Sequence, residues 1–169
     1  MEPTSLIAQE QGQLEQAVAG AVLMAKKLGA DQAEVAVTRQ TGISVNTRMT
    51  EVENIEFNHD GALGISVYVD GRKGNSSTSD ISRESIARAV AAAIDIAKYT
   101  SQDPYSGLAD PALLERQPQD LDLFHPAPLD PEVGLAIAKR CEEAALAGDS
   151  RIVNSDGASY SSHLGIKVY

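Results

Sequence analysis

Tryptophan is missing from this 169-residue chain, phenylalanine occurs twice and cysteine once, and 14 Lys and Arg face 24 Asp and Glu. Each scarcity excludes something. A single thiol, Cys141, cannot close an internal disulfide and suits a reducing compartment. With so few aromatic rings, a core drawn from the 43% apolar residues has to be mostly aliphatic. The cation deficit leaves a formal charge of −10, which repels polyphosphate and argues against direct nucleic-acid binding. No apolar run approaches the ~20 residues that cross a bilayer. The stretch from Met1 to Gln16 has neither a basic nor an apolar block, so no secretory signal is expected and a cytoplasmic location is. The length suits one ordinary domain, burying about 70% of the surface of its unfolded chain.

Hydrophobic periodicity organises what is present. Leu14, Ala17, Val18, Ala21, Val22 (or Ala25) and Leu28 share a helical face, predicting a helix over 6–28 that Gly29 terminates. The period then drops to two. Val35 and Val37, then Ile43, Val45, Thr47 and Met49, then Ile55 and Phe57, then Leu63, Ile65, Val67 and Val69 read as strands within 33–79. Val52 is out of phase, which suggests a bulge or a bend near Glu53. Asp70-Gly71 is a tight-turn signal, and Arg72 to Ser79 suits a polar edge strand. Ser82 is placed to cap a helix over 83–99 with a stripe of Ile86, Ala89, Val90, Ala93, Ile94 and Ala97. A proline-rich connection follows over 101–130, expected to be held down by Leu108, Leu113, Leu114, Leu121, Leu123 and Phe124. Asp130-Pro131 opens a third helix over 131–147. Strands are expected within 150–169, one at Arg151 to Asn154 and one through Leu164, Ile166 and Val168. The fold class is therefore α+β, a largely antiparallel sheet of about five to seven strands packed with three helices.

Two further features bear on organisation. Alternation persists to Tyr169, which suggests the front part of something larger. Asp60-Gly61-Ala62 with Leu63-Gly64-Ile65-Ser66-Val67-Tyr68 is echoed by Asp156-Gly157-Ala158 with Leu164-Gly165-Ile166-Lys167-Val168-Tyr169. Convergence of two turn-plus-strand units is the preferred explanation over duplication, since so short an echo falls below recognised repeat periods, and either way both copies predict sheet.

Reactive constellations are hard to find. His59, His125 and His163 are scattered and lack the one-turn spacing of a zinc helix, so no metal site is expected. Gly42-Ile43-Ser44-Val45-Asn46 and Gly64-Ile65-Ser66-Val67-Tyr68 lack the closing glycine of a hydrolase elbow. Ser162-His163 is too local to pair as nucleophile and base. Cys141 reads as a half-buried helical residue. Gly71 to Thr78 mixes glycines, cations and hydroxyls, but not in the order of a phosphate loop. Glu142 and Glu143 are helix neighbours that do not face one another and read as a solvated face. Arg48, Glu51 and Glu53 read as a structural ion-pair group. An independent hydrolase built on Ser66, Cys141 or His59 has no geometry-ready motif behind it. No catalytic, metal-binding or cofactor-binding residue is assigned, and substrate-binding residues are unknown.

The order of the motifs is more informative than any one of them. Ala33-Glu34-Val35-Ala36-Val37, Gly42 to Arg48, Val52-Glu53-Asn54-Ile55-Glu56-Phe57 and Asp60 to Tyr68 come in turn. Arg72-Lys73-Gly74, Thr78-Ser79-Asp80, Asp103-Pro104, Asp120-Leu121-Asp122-Leu123-Phe124-His125-Pro126 and Arg151-Ile152-Val153-Asn154 follow. From about Gln13 onward this series resembles the N-terminal region of the PmbA/TldE proteins, in the TldD/PmbA metalloprotease family also called modulators of DNA gyrase. The resemblance implies an N-terminal α/β domain over 1–169, with the family's larger β-rich C-terminal domain absent. It implies that zinc belongs to a TldD-type partner, whose His-Glu-x-x-x-His motif has no counterpart here, and that this chain by itself is not catalytic. It further implies assembly with a TldD-type subunit or with itself as a dimer, unfolded peptides as substrates, and no membrane or direct nucleic-acid contact. The alternative is a non-enzymatic module that modulates DNA gyrase or another regulator.

Overall fold

The computed structural model describes residues 3–115, 117, 119–125 and 129–169, with side chains from residue 9 onward. Its elements are α1 (Pro3–Lys27), β1 (Gln32–Arg48), β2 (Glu51–Val69), β3 (Arg72–Thr78), α2 (Arg83–Tyr99), a 3-10 turn (Pro111–Leu113), α3 (Pro131–Leu146) and β4 (Ala158–Val168). The architecture is α+β. The strands form one antiparallel sheet in the order β3-β2-β1-β4. The chain divides into two compact units. The first comprises Met1–Arg39, Gly61–Asp120 and Ile166–Tyr169, and the second Gln40–Asp60 and Leu121–Gly165.

Four strands among the described residues replace the expected five to seven, because neighbouring segments fuse. The Val35 and Ile43 segments are both part of β1, 17 residues long, and the Ile55 and Leu63 segments are both part of β2, 19 residues long. Both exceed the usual strand of about 5–6 residues. Asp60-Gly61 is consequently strand interior, whereas Gly157 has φ +105°. The two halves of the sequence echo differ in structure. Arg151 to Asn154 forms no strand either. The Asp149 carboxylate accepts from the Arg151 backbone N–H at 2.9 Å and from its guanidinium at 2.7 Å, and Ile152 N–H donates to the Asp149 carbonyl. These local bonds make a turn in place of a ladder.

The first unit owns the aliphatic core. Leu14, Val18, Ala21 and Ala25 of α1 meet Val35, Val37, Leu63, Ile65 and Val67 of the sheet. From α2 come Ile86, Ala89, Val90, Ala93, Ile94 and Ala97, the whole predicted stripe. Burying each Leu, Ile or Val stabilises by about 1.5–3 kcal/mol. The Ser82 side chain caps α2 by accepting from Ser85 N–H. Gly29 leaves α1 at φ +98°. The β2–β3 hairpin closes through Asp70-Gly71, both at positive φ, with Val69 opposite Arg72. Gly74 sits against α2 so closely that a β-carbon would overlap the Ala93 carbonyl oxygen and stand 2.6 Å from the Ala97 nitrogen. The alanines of α2 make that approach possible.

In the second unit, Ile43, Val45 and Thr47 of β1 and Gly134, Ala138 and Glu142 of α3 are buried. Tyr160 of β4 and Val45 close over Gly134, where a β-carbon would be 2.7 Å from the tyrosine ring. Asp130 caps α3 by accepting from Glu132 N–H, and Pro131 opens its first turn. The apolar residues of the proline-rich connection do not hold it down as expected. Leu108, Leu113 and Leu114 in the first unit are exposed, as are Leu121, Leu123 and Phe124 in the second. Pro118, Pro126 and Pro128 lie outside the described residues.

Candidate functional site

The most constrained polar arrangement lies in the second unit, where α3 meets the β1–β2 turn. Met49 and Thr50 form that turn with φ of 51° and 65°, a left-handed conformation that is a genuine outlier for a β-branched threonine. Their two consecutive N–H groups converge as an anion nest. Glu142 fills it. Its carboxylate accepts from Met49 N–H at 2.7 Å and from Thr50 N–H at 2.8 Å, and the residue is 1% exposed. Burial by itself would raise its pKa. Hydrogen bonds from the Thr50 backbone, the Ser155 and Thr47 side chains and the Met49 backbone outweigh that and hold it below the usual carboxylate value. The group is therefore an ionised structural latch with its lone pairs committed, which leaves it unsuited to proton transfer. Glu142 is thus buried and not part of the solvated face expected for it. The signal was present in the sequence, since Gly134, Ala138 and Glu142 recur every four residues and so share one helix face.

A second polar group gathers around Gly42 of β1. A β-carbon there would overlap Nδ1 of His163 and lie 2.5 Å from Oδ1 of Asn58. The missing side chain thus admits an imidazole nitrogen from β4 and an amide oxygen from β2 to the same space. Asn58 Oδ1 is buried and has no hydrogen-bond partner among the described residues. Nearby pairings tie the strands together. Ser44 and Ser161 share a hydrogen bond at 2.9 Å, and so do Thr41 and His59 Nδ1. The cluster can bind a donor, but it contains no aligned nucleophile and base.

The remaining sequence candidates are dispersed. Ser162 and His163 are consecutive in a strand and so point to opposite faces. Ser66 is half-buried in β2, opposite Asn75. Cys141 is exposed, not half-buried, because the inward face of α3 belongs to Ala138 and Glu142. Arg48, Glu51 and Glu53 are exposed and no ion pair joins them among the described residues. Val52, Ile55 and Phe57 share one strand and all reach solvent. His125 lies 3.7 Å from the Asp122 carboxylate. Gly71 to Thr78 is hairpin and edge strand, where Arg72 donates to the Thr100 carbonyl and Lys73 lies 5.5 Å from the centre of the Tyr68 ring. Asp80, just before α2, accepts from the Ser85 and Ser82 hydroxyls and the Ser82 backbone, the Ser85 bond being the largest influence, and its pKa falls to about 2. Among the described residues no three His, Cys, Asp or Glu side chains are close enough to hold a metal ion.

Comparison with known proteins decides the family. Residues 33–97 match the model of the PmbA/TldA metallopeptidase domain 1. The metalloprotease PmbA of Escherichia coli O157:H7 is 54% identical over 156 residues, 92% of this chain. The chain belongs to the PmbA/TldD family. A PmbA homologue of Haemophilus influenzae is 52% identical over 98% of the chain. The chain spans about a third of these curated relatives, 34% of the first and 37% of the second. Among solved structures, a proposed modulator of DNA gyrase from Bacteroides thetaiotaomicron superposes with a TM-score of 0.73 at 27% identity, covering 90% of this chain and 34% of that one. TldE from Thermococcus kodakarensis shares the fold at a TM-score of 0.66 and 18% identity, over 89% of this chain and 37% of its own. Among the described residues no helix is long and apolar enough to cross a membrane.

Proposed function

We propose that this chain is the first domain of a PmbA/TldE-type subunit that supports the processing of unfolded peptides in the cytoplasm. In this reading it supplies shape and an assembly surface, while the zinc that cleaves peptide bonds is held by a TldD-type partner. The observation that carries it is the 54% identity to a PmbA metalloprotease across 92% of the chain. The chemistry of the side chains supports the same reading. Glu142, the one buried carboxylate among the described residues, is committed to the Met49–Thr50 turn, and Cys141 is an exposed helix residue.

The test is metal content and peptidase activity. After a chelator rinse and reloading with zinc, the purified chain is expected to retain far less than one zinc per molecule and to leave an unfolded peptide intact. It is also expected to co-elute with a TldD-type subunit on gel filtration. Stoichiometric zinc, or cleavage by the chain unaided, would overturn the assignment. A non-enzymatic role on DNA gyrase is the second reading, favoured by the gyrase-modulator description of one structural relative. Salt-sensitive co-elution with gyrase subunits, without any TldD-type protein, would select it.

A further inference from the structure

One side of the first unit carries a groove of about 640 Å³ that the aliphatic core leaves open. It follows α1 along Gln13, Gln16, Ala17 and Gly20, then Leu23, Met24 and Lys27. Spacings of three and four put these residues on one flank of the helix, over about 21 Å. Ile81, just before α2, with Arg83 and Ile86 of its first turn, forms the opposite wall. The floor is apolar and low at its centre. Nothing lies within 4 Å of where a β-carbon on Gly20 would stand, and Leu23 is 60% exposed beside it.

The rim is unlike the rest of the molecule in charge. In a chain with 24 acidic and 14 basic side chains, its polar residues are Gln13, Gln16, Lys27 and Arg83, with no carboxylate among the described residues. Neither cation forms an ion pair among the described residues. The acids at the start of α2 are engaged elsewhere. Asp80 accepts from Ser82 and Ser85, and Glu84 lies 3.9 Å from Arg88.

From this combination we propose that the groove is a docking site for an amphipathic helix with an acidic polar face. Small residues at the centre let a second helix approach to about 8–10 Å between axes. The apolar floor receives its hydrophobic stripe in the helix-in-groove manner. Lys27 and Arg83 select for carboxylates flanking that stripe and against cations. This surface is independent of where the zinc resides and of any peptidase activity.

The experiment uses the 169-residue chain and a stapled, fluorescein-labelled Ala/Leu/Glu helix of about 15 residues, long enough to span the groove. Its control is the same helix with Lys replacing Glu. Fluorescence anisotropy is expected to show binding of the acidic helix and at least roughly tenfold weaker binding of the basic one. Gly20→Leu, which fills the floor, is expected to abolish binding. Lys27→Glu with Arg83→Glu is expected to weaken it roughly tenfold and to reverse the charge preference. Because all three positions are exposed, far-ultraviolet circular dichroism should be unchanged in both variants. Equal binding of the two helices, no binding of the acidic helix, or undiminished binding by Gly20→Leu would each overturn the proposal. So would sedimentation showing that the unmodified chain self-associates through this groove, with Gly20→Leu restoring the monomer, since the occupant would then be a second copy.

Discussion

The two units solve the same problem with different material. The first packs α1 and α2 on the sheet through a continuous cluster that includes Leu14, Val37, Leu63, Val67, Val90 and Ile94. The second has Ile43, Val45 and Ala138 as its buried apolar residues among those described, and completes its interior with Thr47 and the ionised Glu142. Leu135, Leu146, Tyr160 and Leu164 are only half-buried, and other large apolar side chains face outward, with Phe57 65% exposed, Val153 80% and Leu123 83%. The difference teaches that stability in the first unit comes from area removed from water, and in the second from a few directional bonds around one turn. Directional bonds fail singly, while an aliphatic cluster loses stability in proportion to volume.

Paired truncations test that contrast most strongly. Leu63→Ala in the first unit is expected to cost about 2–5 kcal/mol in chemical denaturation. Ile43→Ala, at an equally buried position, should fall at the lower end of that range, because a sparser shell collapses more completely. Equal losses would erase the distinction between the units. Gly74→Val comes next. It forces β3 away from α2 at the Ala93 carbonyl and should cost about 1–3 kcal/mol by overpacking, read as a lowered thermal midpoint.

The latch is tested by Glu142→Gln, which turns an amide N–H toward donors. Hydrogen exchange at Met49 and Thr50 should accelerate, while the amides of Val37 and Val90 keep their protection. Acid should reproduce the effect. The folded-state pKa of Glu142 is depressed, so its contribution is present above the ordinary value of 4.5 and is lost as pH falls through the lower folded value. Asp80 sharpens the comparison from the first unit, because its hydroxyl partners take its pKa from 3.8 to about 2. Its contribution is therefore present above pH 3.8 and lost as pH falls through about 2. A carboxyl titration followed by NMR should place its midpoint near 2, and Ser85→Ala should move that midpoint back toward 3.8. The smallest effect is expected for Gly42→Ala. The atoms it meets are the ends of the His163 and Asn58 side chains, which can turn aside, so unfolding should shift by about 1 kcal/mol or less.

Much of this was legible in the residues. The α2 stripe from Ile86 to Ala97, the caps at Ser82 and Asp130, and the Asp70-Gly71 hairpin follow from local propensity and period, which act within a few residues. For the latch, the spacing of Gly134, Ala138 and Glu142 sets Glu142 apart from Glu143 on the inward face of α3, but no local signal says what its carboxylate meets. Its meaning comes from Met49 and Thr50, which lie more than 90 residues away. The gap at Gly42 has the same character, since Asn58 and His163 reach it from different strands.

By itself the sequence determined the element types, the aliphatic core of the first unit, the caps and the family, since each depends on short-range spacing or on the order of motifs. Only the tertiary structure decided that neighbouring segments fuse into two long strands, that Arg151 to Asn154 turns instead of pairing, and which carboxylate is buried. Those outcomes depend on long-range partners competing with local hydrogen bonds, and that competition is settled when distant segments meet.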